Sequence, residues 1–363
     1  MKHIYFTVTN DLSFDQRMHR ICDSLSASGY TVTLVGRKRK SSLPLQEKKY
    51  NQKRLNCYLD KGFLFYAEYN LRLLFFLFFK KMDALCAIDL DTILPCLLIS
   101  KLKSIPRVYD AHEYFTEMKE IRTRPLVKKV WQRIESFCVP KFKSGYTVSN
   151  GLAGLFKQKY NCDYITIRNM PLIQERNIPP SATKFLLYQG AVNEGRGFEY
   201  LIPAMQHINY PLIVCGDGNF MQSLKNLIIM HKVQDKVILK GMLLPEELRK
   251  ITPNATIGID LTEDEGLHHY YALPNKFFDY IHAALPQLAM NLPEYKAIND
   301  KYKVAVLLDS LDANTIAKTL NSMMKDEYLL QELKENCLKA RLVFNWQQEE
   351  KKLLAFYRQT IGI

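Results

Sequence analysis

The sequence predicts an α/β protein made of two Rossmann-like, doubly wound domains that face each other across a cleft. Three observations carry that expectation. The 363 residues exceed what one hydrophobic core usually holds. Short apolar runs alternate with longer segments of helical period, which is the pattern of a parallel sheet wrapped by helices. The alternation breaks from Asn169 to Thr183, where three prolines and polar residues replace it, and then restarts.

Taken in order, HIYFTV reads as a strand, Asp15 to Ser28 as a helix stopped by Gly29, and TVTLVG as the next strand. ALCAID, RVYDAH and GYTVS follow as strands, with LPCLLISKLK, a long segment from Pro125 to Cys138 and GLAGLFKQKY as helices. In the second half KFLLYQG, YPLIVCG, KVILKG, ATIGID, PQLAMN and VAVLL are the strands, and helices lie between them. The domains are therefore expected at 1–169 and 184–344, with a linker at 170–183 and a last helical segment at 345–363. Ligands of such sheets bind at the carboxyl ends of the strands.

Hydrophobic residues at 47% and charged residues at 24% belong to a globular chain rather than a disordered one. The net charge of +13 fits nucleic acid, an anionic membrane surface or phosphorylated small molecules. The densest basic run, Arg37 to Lys40, reads as a solvated loop after a strand. Eight cysteines without a CxxC pair or zinc spacing suit a reducing cytoplasm, and the amino terminus enters a strand pattern without signal-peptide features. The aromatic stretch from Phe63 to Phe79 is interrupted by Glu68, Asn70 and Arg72, so it reads as a buried amphipathic helix rather than a span, with a membrane-contacting surface as the alternative.

Three segments carry chemistry. In YQGAVNEGRGFEYL a strand ends at Gly190 and a turn through Gly197 opens a helix, so free N–H groups and the Arg196 guanidinium would meet an anion. In LIVCGDGNF, Gly216 and Gly218 flank Asp217 after an apolar strand, where a tight turn is at least as good a reading as ligand contact. In ALPNKFFDY, Pro274, Asn275 and Lys276 open a helix with Asp279 one turn on, close to Asn275 and Lys276 on the surface. An anion there would meet backbone N–H groups and Lys276, and Asp279 would accept hydrogen bonds from a diol such as ribose; a capped helix with an ordinary charge pair is the alternative.

Together these segments resemble the retaining GT-B glycosyltransferases of family-four type, particularly a branch common in bacterial surface-polysaccharide clusters, over nearly the whole chain. In that family a GxxxxxKG turn binds the donor phosphates. Gly190 and Gly197 match it, with Arg196 at the usual lysine and Ala191 where an arginine is common. Of the family's two glutamates, Asp279 occupies the second position, which would bind the donor ribose, and Tyr271 occupies the first. The segments VTNDLSFDQRMHRICDSL, CAIDLDTILP and VYDAHEYF look like acceptor-side signatures of the same branch. The resemblance gives catalytic positions to His112 and Glu113, His112 contacting the transferred sugar, and lines the acceptor pocket with Glu113, Asp89, Asp91, Asn10 and Asp11. FNWQQEEKKLLAFYRQ resembles the closing helix that crosses back onto the first domain, with Trp346 as a packing anchor.

The implied activity is transfer of a hexosyl or N-acetylhexosaminyl group from a nucleoside-diphosphate sugar to a glycan or lipid-linked acceptor. It implies retention of anomeric configuration, no metal or other cofactor, and a cytoplasmic enzyme peripheral to the inner face of the membrane. The donor phosphates would lie against Arg196 and Lys276. A nucleotide-sugar epimerase of the same architecture and a catalytically silent scaffold are the alternatives, and a nucleic-acid binder is disfavoured because the positive charge is dispersed.

Overall fold

The computed structural model describes residues 1–13, 15–40, 42–174 and 183–362; residues 175–182 of the expected linker and Ile363 of the last segment lie outside them. The chain divides into two compact units, Met1–Asn169 with Trp346–Ile363, and Met170–Asn345.

Unit 1 runs β1 (His3–Thr7), α1 (Gln16–Ala27), β2 (Thr31–Lys38), β3 (Asn51–Asn56), α2 (Gly62–Phe78), β4 (Ala84–Ile88), α3 (Ile93–Leu102), β5 (Arg107–Ala111), α4 (Lys119–Arg122), α5 (Pro125–Cys138), β6 (Ser144–Thr147), α6 (Asn150–Tyr160) and β7 (Ile165–Thr166). Unit 2 runs β8 (Leu186–Gln189), α7 (Phe198–Ala204), β9 (Leu212–Cys215), α8 (Met221–Met230), β10 (Val237–Gly241), α9 (Pro245–Ile251), β11 (Ile257–Asp260), α10 (Leu267–Tyr270), α11 (Asn275–His282), β12 (Gln287–Met290), α12 (Pro293–Tyr302), β13 (Ala305–Leu308), α13 (Ala313–Lys325) and α14 (Glu327–Ala340). The last helix, α15 (Trp346–Ile361), returns to unit 1.

The strand order is β3-β2-β1-β4-β5-β6-β7 in one sheet and β10-β9-β8-β11-β12-β13 in the other, and every pairing among the described residues is parallel. The chain direction across each sheet therefore reverses once, between β1 and β4 in unit 1 and between β8 and β11 in unit 2. At such switch points two neighbouring loops diverge and leave room for a ligand. Strands β4, β8, β11 and β12 are buried along their whole length, as parallel strands covered on both faces are.

Two strands go unanticipated by the hydrophobic pattern. β3, NQKRLN, is an edge strand with one buried residue, and β7 is two residues long. Two other expectations are corrected. Arg37 is not in a solvated loop: it lies near the end of β2, 6% exposed, with its guanidinium 4.0 Å from the Phe65 ring centroid. Nor is α2 a buried helix. It buries Phe65, Tyr69, Leu73 and Leu77, whereas Phe63, Leu64, Leu71, Phe75 and Phe78 are exposed, as is Phe79 beyond its end. No helix of the described residues is long and apolar enough to cross a membrane.

Helix α15 completes the core of unit 1. Trp346, Leu353 and Tyr357 belong to the same apolar cluster as Ile4, Phe6 and Met18, the Trp346 indole donates to Ser24 Oγ at 3.0 Å, and Tyr357 lies 6.0 Å from Phe6, centroid to centroid. Replacing a buried tryptophan by alanine costs about 3–5 kcal/mol. Trp346→Ala is expected to lower the unfolding free energy of unit 1 by that amount, read as a lower urea midpoint for its transition, while leaving a unit 2 transition in place.

Candidate functional site

Each unit collects polar side chains at its switch point. In unit 1 they come from the loops after β1, β4 and β5. Asp89, the first residue past β4, has φ 55° and ψ 176°, a region that costs a non-glycine residue strain. Its side chain accepts the His112 backbone N–H at 2.8 Å. His112 follows β5 and has a carboxylate at each ring nitrogen, Asp110 Oδ2 at 3.0 Å from Nε2 and Asp89 Oδ2 at 3.5 Å from Nδ1. Asp110, with no exposed surface, is held in turn by Arg17 Nη2 at 3.0 Å, and Arg17 Nη1 donates to the Ile167 carbonyl. Asp91 is buried and accepts the Thr9 hydroxyl at 2.5 Å.

The charge states follow from this arrangement. Burial disfavours the His112 imidazolium, but Asp110 and Asp89 outweigh it and raise the pKa above 6.5. Burial also works against the Asp110 carboxylate, yet Arg17 and His112 hold it below the usual range. Asp91 is pushed up to about 7, chiefly by burial and then by Glu113, against the Thr9 hydrogen bond. Burial raises Asp89 too, with Glu113 and Asp91 adding to the effect and His112 opposing it. Both nitrogens of His112 are thus engaged by groups that favour its cation, and Asp91 ionises where proton exchange near neutral pH is served.

A cavity of about 500 Å³ opens here, lined by Asn10, Asp89, Asp91, His112 and Glu113 together with Arg37, Arg39, Lys61 and Tyr66. Five of the residues expected at this site therefore share one cavity. Asp11 does not join them: it forms an ion pair with Arg54 at 2.7 Å and accepts from Ser13 and Ser42. Thr9, Arg17, Arg37 and Asp110 were not foreseen. The only sequence signal for Asp110 is its place in VYDAH, at the end of an apolar strand.

In unit 2 the loop after β8 carries Gly190 to Gly197. Gly190 donates to the Cys215 carbonyl, Val192 to Asp217 O, and Phe220 back to Val192 O. A Cβ on Gly216 would stand 1.8 Å from Gly190 O, and one on Gly218 would stand 2.3 Å from Val192 O. Gly216 and Gly218 thus support the first loop by close backbone contact. Gly197 caps α7 at φ 72°, against the Leu261 carbonyl.

A polar network joins this loop to the end of β11. Arg196 Nη1 donates to Thr262 Oγ1 at 3.3 Å, Thr262 donates to Asp260 Oδ1 at 3.2 Å, Tyr295 donates to Asp260 Oδ2 at 2.9 Å, and Lys276 Nζ lies 3.0 Å from Asp260 Oδ1. Lys276 is therefore not on the surface as expected. It is buried, 4.2 Å from the Tyr188 ring centroid, because a fully buried Asp260 requires a counter-ion. Asp279, half-buried on α11, accepts from Gln189 Nε2 at 3.1 Å, and Gln189 accepts from Thr252 at 2.7 Å. Asn275 is exposed at the start of α11, and Tyr271 is half-buried just past α10. Asp260, Thr262, Gln189 and Tyr295 escaped the sequence reading.

The carboxylates of unit 1 set a pH dependence. Asp91 ionises near 3.8 when unfolded and near 7 when folded, so between these values the folded state holds the extra proton and stability falls as pH rises. His112, raised above 6.5, contributes stability that is complete below 6.5 and lost as pH rises through its folded value. The groups facing them are Asp89, Asp110, Glu113, Arg17 and Thr9. Urea midpoints of unit 1 are expected to fall from pH 5 to pH 8, and Asp91→Asn to flatten the part of that slope below pH 7.

Residues 170–340 match the family model described as glycosyl transferases group 1. No curated protein sequence matches the chain. Sucrose-phosphate synthase from Thermosynechococcus elongatus superposes with a TM-score of 0.81 at 14% identity, covering 99% of each chain. HepE of Anabaena in complex with UDP-glucose superposes at 0.77 and 11% identity over 99% of this chain and 100% of that one. WaaG, a glycosyltransferase involved in lipopolysaccharide biosynthesis, does so at 0.72 and 14% identity over 99% and 100%. The chain thus has the GT-B fold, and its second unit matches the model of the group 1 glycosyl transferases, consistent with an enzyme of family-four type.

Proposed function

We propose that the chain transfers a hexosyl or N-acetylhexosaminyl group from a nucleoside-diphosphate sugar bound by unit 2 to a glycan or lipid-linked acceptor engaged by unit 1. The observation that carries this reading is the network at the unit 2 switch point, in which Arg196, Thr262, Asp260 and Lys276 are linked, with Asp279 on the adjoining helix. Arg196 and Lys276 would face the diphosphate and Asp279 the ribose diol. Gly197 and Asn275 would bring backbone N–H groups near the phosphates, Gly190, whose own N–H is held by the Cys215 carbonyl, would let the loop approach them closely, and Gly216 and Gly218 would act through the loop they support.

As the glycosidic bond to the diphosphate breaks, these cations would stabilise the negative charge left behind, without a metal ion. We propose retention, with the departing phosphate taking the acceptor proton. In unit 1, His112 would sit as a fixed cation beside the reacting sugar, and Asp89, Asp91, Glu113 and Asn10 would bind acceptor hydroxyls. UDP-sugars are the first donors to test, since HepE was solved with UDP-glucose.

Asp279 and Arg196 give the cleaner variants. Removing Lys276 would leave Asp260 buried and unpaired, which costs about 3–5 kcal/mol and would confound binding with folding. Losing a hydrogen bond to a charged group costs about 1.5–3 kcal/mol, so Asp279→Ala and Arg196→Ala are expected to weaken UDP binding by about tenfold or more with unchanged thermal midpoints. The check is calorimetric titration of UDP with and without EDTA. Equal affinity in both variants would remove the donor assignment, and an inverted product by NMR would remove retention.

The exposed face of α2, with Lys80 and Lys81 at its end, supports a peripheral seat on an anionic leaflet at the cytoplasmic side, apolar side chains entering the interface and lysines meeting headgroups. Co-sedimentation with phosphatidylglycerol vesicles is expected to fall with salt and to drop sharply in Phe75→Glu/Phe79→Glu. Binding unchanged in that variant would exclude this face.

A further inference from the structure

The unit 1 cavity is polarised. Asp60, Asp89, Asp91 and Glu113 stand on its lining together with Arg37, Arg39 and Lys61, and two of the acidic members are already matched, Asp91 by Thr9 and Asp89 by His112. Arg37 is not matched. It is 6% exposed, its Nη1 donates to the Asp60 carbonyl at 3.1 Å, its Nε has no partner, and no carboxylate of the described residues forms an ion pair with it. Burial and then the neighbouring Arg39 work against its charge, and Asp60, without forming an ion pair, only partly offsets them. A guanidinium seldom stays buried without a counter-ion, and Arg37 is held in place by the Phe65 ring beneath it. An anion in the cavity would supply the ion-pair partner that Arg37 lacks.

We propose that Arg37, Arg39 and Lys61 form a subsite for a phosphate group carried by the acceptor. A guanidinium fork matches two phosphate oxygens, and two further cations at the same wall suit a dianion or a diphosphate. The inference rests on reading unit 1 as the acceptor side. It narrows the acceptor to a phosphorylated one, whose hydroxyl would meet Asp91 and Glu113 while its phosphate lies against Arg37. Two sources share this chemistry, a lipid-linked phosphate and a soluble sugar phosphate. Gly62, Phe65 and Tyr66 of α2 line the cavity, and their neighbours Phe63 and Leu64 are exposed, so a lipid chain would leave the cavity along an apolar surface.

The test is calorimetric binding of inorganic pyrophosphate, a hexose 6-phosphate and farnesyl diphosphate to the full chain. It is run in an Arg196→Ala background so that the phosphate site proposed for unit 2 does not compete, and then with Arg37→Met added. The expected result is binding of pyrophosphate that Arg37→Met weakens by about tenfold or more, with a thermal midpoint equal to or above that of the background because the charge removed had no ion-pair partner and the methionine keeps the apolar contact with Phe65. Tighter binding of farnesyl diphosphate than of pyrophosphate would assign the lipid-linked source, and tighter binding of the hexose phosphate the soluble one. Equal pyrophosphate affinity with and without Arg37, or a thermal midpoint that falls with Arg37→Met, would overturn the subsite and make the guanidinium a structural group. A UDP affinity insensitive to Arg196 would count against the donor reading alone, since the Arg37 comparison does not use UDP.

Discussion

A parallel sheet hides both of its faces under helices, which leaves the carboxyl ends of its strands as the place where polar groups can gather. Both units meet this constraint with the same device. A carboxylate with no exposed surface stands at or next to the end of a strand, Asp110 in β5 and Asp260 in β11, and a buried cation from a helix neutralises it, Arg17 from α1 and Lys276 from α11. These pairs fix how the neighbouring loops leave the sheet. Everything assigned to chemistry is built outward from them.

The two pairs are then put to different uses. In unit 1 the carboxylate reaches the cavity through His112, so a charge deep in the sheet favours the protonated form of a ring that lines the site. In unit 2 it reaches the loop after β8 through Thr262, which orients Arg196. Lys276 spends much of its charge on Asp260, so Arg196, with no carboxylate partner among the described residues, is the less compromised cation for a diphosphate. The lysine-to-arginine exchange in the glycine turn then has a physical sense: a planar fork can hold the Thr262 hydroxyl and still present N–H groups outward.

The sheets were legible because most of their strands read as short apolar runs, and all six strands of unit 2 stand out in this way, even the edge strand β10, which buries only Val237. β3 was invisible because NQKRLN is an edge strand with almost no buried surface. Arg37 was misread for a related reason. A run of four basic residues looks solvated, yet the strand continues through Lys38 and turns Arg37 onto Phe65. The site residues that drew notice had distinctive neighbours, such as the HE after VYDA or the glycines of the turn. Asp260 and Asp110 carried no such mark, since a lone carboxylate ending an apolar strand announces neither its burial nor its counter-ion, which comes from a separate helix, α11 for Asp260 and the distant α1 for Asp110. Asp11 shows the reverse error, a polar residue beside the site whose side chain the Arg54 pair directs elsewhere.

Unit 1 is discontinuous in the chain, and this has a consequence for its biogenesis. Its sheet is synthesised first, but the helix that carries Trp346, Leu353 and Tyr357 into its core follows the whole of Met170–Asn345. At about 5–20 residues per second, translation of that insert takes roughly ten to thirty seconds. During that interval Ile4, Phe6 and Tyr146 lack the partners that bury them, while unit 2 has all it needs to fold on its own. The nascent chain thus passes through a state with one finished domain and one open hydrophobic groove, a natural substrate for holding chaperones at the ribosome.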